Sequence, residues 1–356
     1  MATGNTAAAP HYFAVRSVHL RSLSLNRVLR GTWRTLAGLP TGTHVESVNA
    51  SGILLGVFPM ANAQSKIWHD GLYLVNATTG QVRNVASFSA NLQANVADVS
   101  GSWLVYEPGS AIKNGYHAIM AKNIQTGAQW TAMTLPGNVY SAGDIKGLTI
   151  RGHWAYWLAN LLGPNGLTST VYAYNLQNRQ LHQLLHVGTH SNNRMFFTMA
   201  PAPGGLWISV NNSGDLHLAN VNGSLWYWSF QQGRVTQRIP VWHAPTLLYG
   251  ATRNLVIFSG NYRMVPSSFT NPGPYPVYAA DAQTRTVYQL TSRINPGGAA
   301  TISGPYLTVN GLGMVGALID WNQKTRVTLP DPQAAVGGQT LVLQSAGDIS
   351  WTTLIN

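Results

Sequence analysis

Cysteine is absent from this chain, and so are long apolar runs. Without a thiol, disulfide bonds are excluded, although a missing cysteine does not identify a cellular compartment. No run of 18 or more apolar residues occurs, so no transmembrane helix is expected. The opening residues Met1 to Asn5 lack the charged and apolar regions of a signal peptide. We expect residues 1–13 to be a disordered lead or an artificial start added for expression.

Charge is the next scarcity, because only 9% of the residues are charged. Ordinary domains carry about 25%. The chain has ten acids against twenty-one Lys and Arg. Few carboxylates suit a protein that works in acid, where a carboxylate that must protonate contributes no dependable stability. This composition predicts an acid-tolerant protein that is exported or displayed at the cell surface. The alternative interpretation is a basic surface that binds a polyanion.

What is present is a repeated turn, a short polar residue followed four positions later by Gly, Arg or Lys. Asn, Asp and Ser suit the first position because their side chains accept a backbone N–H bond. Glycine suits the last position because it adopts a left-handed backbone conformation at little cost, so Arg or Lys there indicates strain or another turn type. Seven copies recur at a mean period of about 49 residues, which is typical of propeller blades. They run from Asn26 to Arg30, Asn76 to Gly80, Asn123 to Gly127, Asn175 to Arg179, Ser229 to Gly233, Asp281 to Arg285 and Asp320 to Lys324.

A second repeat precedes each turn and consists of two apolar runs separated by a small or polar break, as around Ser51-Gly52 and Ser100-Gly101. Two hairpins per unit make one four-stranded blade. The chain opens with a second hairpin, Val18 to Leu36, and closes with a first hairpin, Leu341 to Leu354. Joining them would complete the seventh blade from both termini and leave no open sheet edge. The prediction is an all-β, seven-bladed propeller in one domain over residues 14–356, with six or eight blades as the alternative.

Large aromatic residues recur on what we take to be the second strand of each first hairpin. Because they follow the fold period, we interpret them as packing between blades rather than as a ladder that stacks on a ligand. They are Phe58, Trp103, Trp154, Trp207, Phe258, Tyr306 and Trp351.

The loops between hairpins are long, as at Asn160 to Ser169 and Gly260 to Pro276, and should all lie on one face of the ring. Long loops on a rigid scaffold usually carry function. We therefore expect the working face to be the one with long loops. The candidate ligand-binding residues there are Trp68, His69, His117, Asp144, His190, Arg194, Trp242, His243, Tyr262 and Arg263.

Catalytic signatures are missing, since the chain has no G-x-S-x-G elbow, no H-E-x-x-H and no P-loop. No catalytic residue and no cofactor are predicted. The alternative is a divalent metal held by two or three His and an acid at the channel mouth, where convergence of His190, His243 and Asp144 would favour an enzyme.

Five arginines fall in nineteen residues without an acid, namely Arg16, Arg21, Arg27, Arg30 and Arg34. We expect them on the outer strands of the closing blade, where a solvated rim is the plain interpretation and contact with a polyanion is the alternative.

The run into the turn resembles the WD40-like repeats of TolB-type bacterial propellers. The matching residues are Gly71-Leu72-Tyr73-Leu74-Val75-Asn76 and Val277-Tyr278-Ala279-Ala280-Asp281. The true WD dipeptide is absent, and Gly-His occurs once, at Gly152-His153. The resemblance implies a propeller that binds proteins, glycans or cell-wall material, with lyases and hydrolases as a minority.

The leading hypothesis is a secreted or surface-displayed module that binds a protein or glycan through the long-loop face. A propeller lyase or hydrolase with a His-lined site at the central channel is the second hypothesis. The third is a structural unit of an outer cell layer.

Overall fold

The computed structural model describes residues 13–57, 68–88, 94–108, 116–136, 145–163, 166–188, 195–211, 223–241, 245–260, 277–290, 300–311, 314–330, 333–345 and 347–354. These residues form seven sheets arranged as the blades of a propeller, antiparallel except for one parallel edge strand in each of two blades, with a single 3₁₀ turn at Leu25–Arg27. The predicted seven-bladed, all-β architecture is confirmed.

Blades 1 to 4 follow the chain in order and contain four strands each. Blade 1 holds β4 His44–Asn49, β5 Gly52–Val57, β6 Gly71–Val75 and β7 Val82–Ser87. Blade 2 holds β8 Ala94–Ser100, β9 Trp103–Pro108, β10 Tyr116–Asn123 and β11 Gln129–Pro136. Blade 3 holds β12 Ile145–Arg151, β13 Trp154–Gly163, β14 Gly166–Asn175 and β15 Leu181–Gly188. Blade 4 holds β16 Met195–Ala202, β17 Gly205–Asn211, β18 Gly223–Ser229 and β19 Arg234–Val241.

Blades 5 to 7 each combine C-terminal strands with one strand from the N-terminal segment. Blade 5 holds β20 Pro245–Ala251, β21 Leu255–Gly260, β22 Val277–Asp281 and β23 Thr286–Gln289, with β1 Ala14–Ser17 parallel to β23. Blade 6 holds β24 Ala300–Ser303, β25 Tyr306–Gly311, β26 Met314–Asp320 and β27 Thr325–Thr328, with β2 Arg21–Leu23 parallel to β27. Blade 7 holds β28 Gln333–Gly337, β29 Thr340–Ser345 and β30 Asp348–Thr353, completed by β3 Arg34–Leu36 antiparallel to β30.

Both chain ends contribute strands to blade 7, but not the two strands each that the sequence predicted. Three strands come from the C-terminal end and one, β3, from the N-terminal end. The predicted opening hairpin Val18 to Leu36 is wrong, because β2 joins blade 6 instead of pairing with β3. The predicted first hairpin Leu341 to Leu354 is the second and third strands of its blade, and β28 precedes it.

Six of the seven predicted turns connect the last two strands of a blade. In each, the first residue accepts backbone N–H bonds two or three positions on, as Asn76 Oδ1 does from Thr78 N and Thr79 N at 2.9 Å. The fifth residue has positive φ, including Gly80 at 77°. The seventh prediction, Asn26 to Arg30, is wrong, because the segment contains the 3₁₀ turn Leu25–Arg27.

The core consists of apolar layers between neighbouring blades. Trp207 of blade 4 is fully buried, packs on blade 5 residues such as Phe258, and donates its indole N–H to the Thr252 carbonyl at 3.0 Å. Trp351 likewise donates to the Ala77 carbonyl of blade 1 at 2.8 Å, although it lies on the third strand of its blade and not the second. These contacts support the predicted role of the aromatic repeat in packing between blades. Phe58 lies outside the described residues.

Side-chain oxygens also link the inner strands of adjacent blades. Asp98 accepts a bond from Ile150 N at 2.8 Å, Thr198 from Leu248 N at 2.7 Å, and Thr301 from Val336 N at 2.7 Å. Each oxygen satisfies a backbone N–H of the next inner strand. Leaving such a buried N–H without a partner would cost about 1–3 kcal/mol. These bonds fix the position of each inner strand on the next and so define the wall of the channel.

Candidate functional site

The two faces of the ring differ in the polar groups that they leave for a ligand. One face, which we call the short-turn face, carries the turns between the first two and the last two strands of each blade. In the six described outer turns, a side-chain oxygen of the first residue accepts a hydrogen bond from the backbone N–H two or three residues on. Asn123 accepts from Gln125 N, and Asp320 accepts from Asn322 N. In these turns one side-chain oxygen of the first residue shapes the turn, and the short-turn face has a recess of about 340 Å³ between blades 5 and 6, lined in part by Asp281 and Lys324.

The opposite face, which we call the long-loop face, has a recess at the junction of blades 7 and 1. Its volume is about 540 Å³. The lining comes from the segment that links β3 to β4 and from the ends of β28, β29 and β30. It comprises Leu39, Pro40, Thr41, Gly42, Thr43, His44, Gln333, Gln344, Ser345, Gly347, Asp348 and Ile349.

An imidazole–carboxylate pair stands at the edge of this recess. His44 and Glu46 lie two positions apart on β4, next to a register shift between Val45 and Ser47. His44 Nε2 is 2.8 Å from Glu46 Oε1, and the side chains are 45% and 9% exposed. Burial lowers the pKa of His44, but the hydrogen bond and charge of Glu46, with the Gly42 carbonyl, outweigh it and raise the pKa above its usual value. Glu46 therefore favours a protonated His44 imidazole at the recess in mild acid, as an ion pair without net charge.

Neighbouring polar groups in the recess are largely engaged with the protein itself. Gln344 donates to the Thr43 carbonyl at 2.6 Å and accepts from Val45 N at 3.2 Å, and Asp348 accepts from Gly38 N at 3.1 Å. The Thr43 hydroxyl is buried without a hydrogen-bond partner. Gln333 and Ser345 are exposed at the rim of the recess. The recess therefore offers neutral hydrogen-bonding groups together with the His44 imidazole and the Asp348 carboxylate.

The central channel is a second cavity, of about 480 Å³, lined by the inner strands β4, β8, β12, β16, β20, β24 and β28. Asp98 lies half-buried in its wall and accepts bonds from Ile150 N at 2.8 Å and Val99 N at 2.9 Å. Burial raises the pKa of Asp98 despite these bonds, which lower it. The Asp98 carboxylate is enclosed by backbone donors that serve the fold.

Three of the ten predicted ligand-binding residues lie in the described part of the chain. Trp68 is half-buried, with its ring edge-to-face against Tyr73 at 5.0 Å. His69 is exposed, and its backbone N and O lie 3.2 Å from the Tyr73 hydroxyl. His117 is in strand β10, paired with Leu135, and not in a loop. The other seven lie outside the described residues: Asp144, His190, Arg194, Trp242, His243, Tyr262 and Arg263.

One predicted long loop proves to be regular structure. Asn160 pairs with Ser169 and Gly163 with Gly166, so β13 and β14 extend as a hairpin where the sequence suggested a loop. Polar residues at the ends of these strands gave the sequence the appearance of a loop.

The described residues contain no group of three or more His, Asp or Glu that could hold a metal ion. The divalent metal and the convergence of His190, His243 and Asp144 stay predictions, because those residues lie outside the described part. In that same part of the chain, no helix is long and apolar enough to cross a bilayer.

The five rim arginines are all exposed. Arg16 lies on β1, Arg21 on β2 and Arg34 on β3, so they stand on the outer edges of blades 5, 6 and 7. Arg27 ends the 3₁₀ turn. Arg30 donates its backbone N–H to the Thr353 carbonyl at 2.8 Å. The prediction placed all five on one closing blade, whereas the structure spreads them over three.

The sequence interpretation missed His44 and Glu46 as site residues. The available signal was the spacing His-x-Glu on a predicted inner strand, which places both side chains on one side of the strand. What hid it was the assignment of function to the long loops alone.

Comparisons with known proteins identify the fold and no family. No family model and no curated protein matches the sequence. The β-propeller domain of the Trilobed protease from Pyrococcus furiosus, which has an open velcro topology, is 10% identical, with a TM-score of 0.53, covering 84% of this chain and 90% of that one. A chain in the Saccharomyces cerevisiae complex of Dbp5 with Nup159, Gle1, IP6 and ADP is 9% identical, with a TM-score of 0.54, covering 97% and 100%.

TolB from Acinetobacter baumannii is also similar, at 13% identity and a TM-score of 0.42, over 79% of this chain and 62% of TolB. At these identities the two likenesses with a TM-score above 0.5 show the propeller fold alone. The finer resemblance to WD40-like repeats has no support from a sequence family.

Proposed function

We propose that this protein is a secreted or cell-surface binding module that contacts a protein or glycan ligand through the long-loop face. The observation that carries the proposal is the larger recess on the long-loop face, since the recess on the short-turn face measures about 340 Å³. On the short-turn face, the side-chain oxygens of the polar turn residues accept hydrogen bonds from the backbone of the same turn. On the long-loop face a polar recess of about 540 Å³ lies open between blades 7 and 1.

The chemistry of the recess suits a neutral, hydrogen-bonding ligand. Gln333 and Ser345 supply exposed amide and hydroxyl groups, and His44 adds a donor whose charge depends on pH. Such groups recognise the hydroxyls of a sugar or the backbone amides of a peptide. Concave sites with a few convergent polar groups are the usual form of small binding sites.

Display in an acidic exterior is part of the same proposal. The turn position occupied by Asp281 and Asp320 is occupied by neutral Asn76, Asn123 and Asn175 in other blades, so this turn does not require a charge. Burial raises the pKa of Asp98, so the native state accommodates its neutral form more readily than the unfolded chain does. Stability that does not depend on carboxylate charge supports tolerance of acid.

The test is binding to an array of microbial surface glycans and unstructured peptides, at pH 4 and pH 7. A Ser345→Arg variant places a bulky side chain over the recess, and a Gln125→Arg variant adds the same charge to an exposed turn on the short-turn face. We expect Ser345→Arg to abolish the binding seen with the native protein and Gln125→Arg to retain it. Equal binding by both variants would show that the recess is not the contact.

A further inference from the structure

We propose that the arginines on the rim of blades 5, 6 and 7 form a curved track for a linear anionic polysaccharide. This surface is separate from the long-loop face. It consists of Arg16, Arg21, Arg27, Arg30 and Arg34, with Arg326 of β27 exposed beside β2.

These guanidinium groups are available for an external anion. All five N-terminal arginines are exposed, and none of them forms an ion pair with a described carboxylate. The first acid in the chain is Glu46, which is paired with His44. A guanidinium group binds sulfate or carboxylate with two parallel hydrogen bonds. The segment therefore presents repeated anion sites with no competing negative charge in its own sequence.

The fold spreads these sites along an arc. Strands β1, β2 and β3 are added in succession to the outer edges of blades 5, 6 and 7. Seven blades fill a circle, so neighbouring rims face directions about 51° apart. Arg16 and Arg34 consequently face directions about 100° apart, since they lie two blades from each other.

That curvature decides among the anionic partners. A bilayer is flat on this scale and would contact the rim of one blade at a time. The exposed apolar side chains of Val15 and Trp33 in the segment could insert into a bilayer, but they do not remove this geometric restriction. Duplex DNA is too stiff, with a persistence length of about 150 base pairs. Single-stranded nucleic acid is usually held by several stacked aromatic rings, and Trp33 is the one exposed large aromatic among the described residues. A flexible polysaccharide bearing sulfate or carboxylate groups can follow the arc.

The experiment measures the affinity of the full chain for fluorescent heparin fragments, a tetrasaccharide and a chain of about twenty sugars, in about 0.1 M salt. We expect the longer chain to bind on the order of 100-fold more tightly, because several blades are engaged at once. An affinity that does not depend on length would overturn the track.

Two variants of equal charge separate the track from general attraction to a basic protein. The rim variant replaces Arg16, Arg21, Arg27, Arg30 and Arg34 by Ser. The control replaces five exposed arginines elsewhere, at Arg83, Arg151, Arg234, Arg238 and Arg253. We expect the rim variant to lose at least about 30-fold in affinity for the long chain and the control less than about 3-fold. Equal losses would show that net charge alone attracts heparin.

Replacing the five rim residues by Lys supplies a second measurement that keeps the charge and the fold. Lysine lacks the two-pronged geometry of arginine, so we expect an affinity between those of the native protein and the Ser variant. Tighter binding to a DNA duplex or to phosphatidylserine vesicles than to the long heparin chain would overturn the assignment to a polysaccharide.

Discussion

At the scale of single residues, the last position of each outer turn requires a positive φ, and the chain meets this requirement either with Gly or with Arg or Lys. Gly80, Gly127 and Gly233 adopt positive φ without a side chain to clash. Arg179, Arg285 and Lys324 adopt the same conformation, with φ of 60°, 54° and 50°. Their side chains lie over aromatic rings, as Arg179 does over Trp130 of the preceding blade at 4.4 Å. The sequence indicated strain or another turn type, and the structure shows the strained form, in which the cation–ring contact offsets part of the cost.

The balance at Arg179 is testable with two substitutions. Arg179→Ala keeps the positive φ and loses the contact with Trp130, which is worth about 0.5–1 kcal/mol at an exposed site. Arg179→Gly loses the same contact but relieves the backbone by about 1 kcal/mol. We expect the Gly variant to be more stable than the Ala variant by about 1 kcal/mol in urea unfolding. Equal midpoints for the two variants would show that the backbone is unstrained.

The pair of His44 and Glu46 predicts a pH dependence of stability. The pKa of His44 is raised in the folded protein, so the pair stabilises the fold fully below the unfolded pKa and loses this effect as pH rises through the folded pKa. Glu46→Gln removes the charge, and the pKa of His44 should fall. Because the imidazole is 45% exposed, we expect a stability loss of under about 1 kcal/mol in mild acid and none well above neutrality.

Titration of the His44 imidazole by NMR, with His44→Gln to assign its signal, measures the shift directly. An unchanged pKa in the Glu46→Gln variant would contradict the role given to Glu46.

At the scale of elements, the inner strands lie close enough to exclude side chains at certain glycines. Gly337 of β28 faces the Val48 carbonyl of β4, and an added Cβ would overlap that backbone atom. Gly337 thereby sets the approach of blade 7 to blade 1, where the ring closes. The adjacent Gly338 has a φ of 59° and open space around its Cβ position.

These two glycines make a matched pair of variants. Gly337→Ala must move one strand away from the other, and we expect it to cost at least about 3 kcal/mol, in the range of severe overpacking. Gly338→Ala meets only the unfavourable backbone conformation, at about 1 kcal/mol. Thermal unfolding of both variants measures the difference. A similar loss in the two would mean that the inner strands can separate at little cost.

At the scale of the whole molecule, the ring is held closed by strand pairing between residues near opposite ends of the chain. Thr35 of β3 pairs with Ser350 of β30, and their hydroxyl oxygens are 2.9 Å apart. Strands β1 and β2 extend this attachment by one additional strand on each of blades 5 and 6. The N-terminal segment therefore covers three blades, and one of its strands completes the ring.

The absence of native cysteine allows a direct test of this closure. Thr35→Cys combined with Ser350→Cys should form a disulfide, seen as faster migration on a non-reducing gel. Closing so long a loop should stabilise the protein by up to roughly 4 kcal/mol over its reduced form. Thr35→Cys with Ser303→Cys, on blade 6, is the control and should remain reduced. Failure of the first pair to form while the protein is folded would contradict the pairing of β3 with β30.

The sequence alone determined the number of blades, the outer turns of blades 1 to 6 and the apolar layers. Each depends on contacts that repeat with the period of the fold, so each blade carries its own signal, as Asn76 to Gly80 does. The sequence placed Trp207 correctly as packing between blades for the same reason. It also identified the basic N-terminal segment, because Arg16 to Arg34 lie close together in the chain.

Only the tertiary structure decided how the ends meet and where polar groups converge. The assignment of β2 to blade 6 and of β3 to blade 7 depends on pairing with residues about 300 positions away, which no local pattern encodes. The recess at His44 likewise combines the segment after β3 with the end of β29. Local periodicity specifies a blade, whereas the junction of first and last blades occurs once per molecule and leaves no repeat in the sequence.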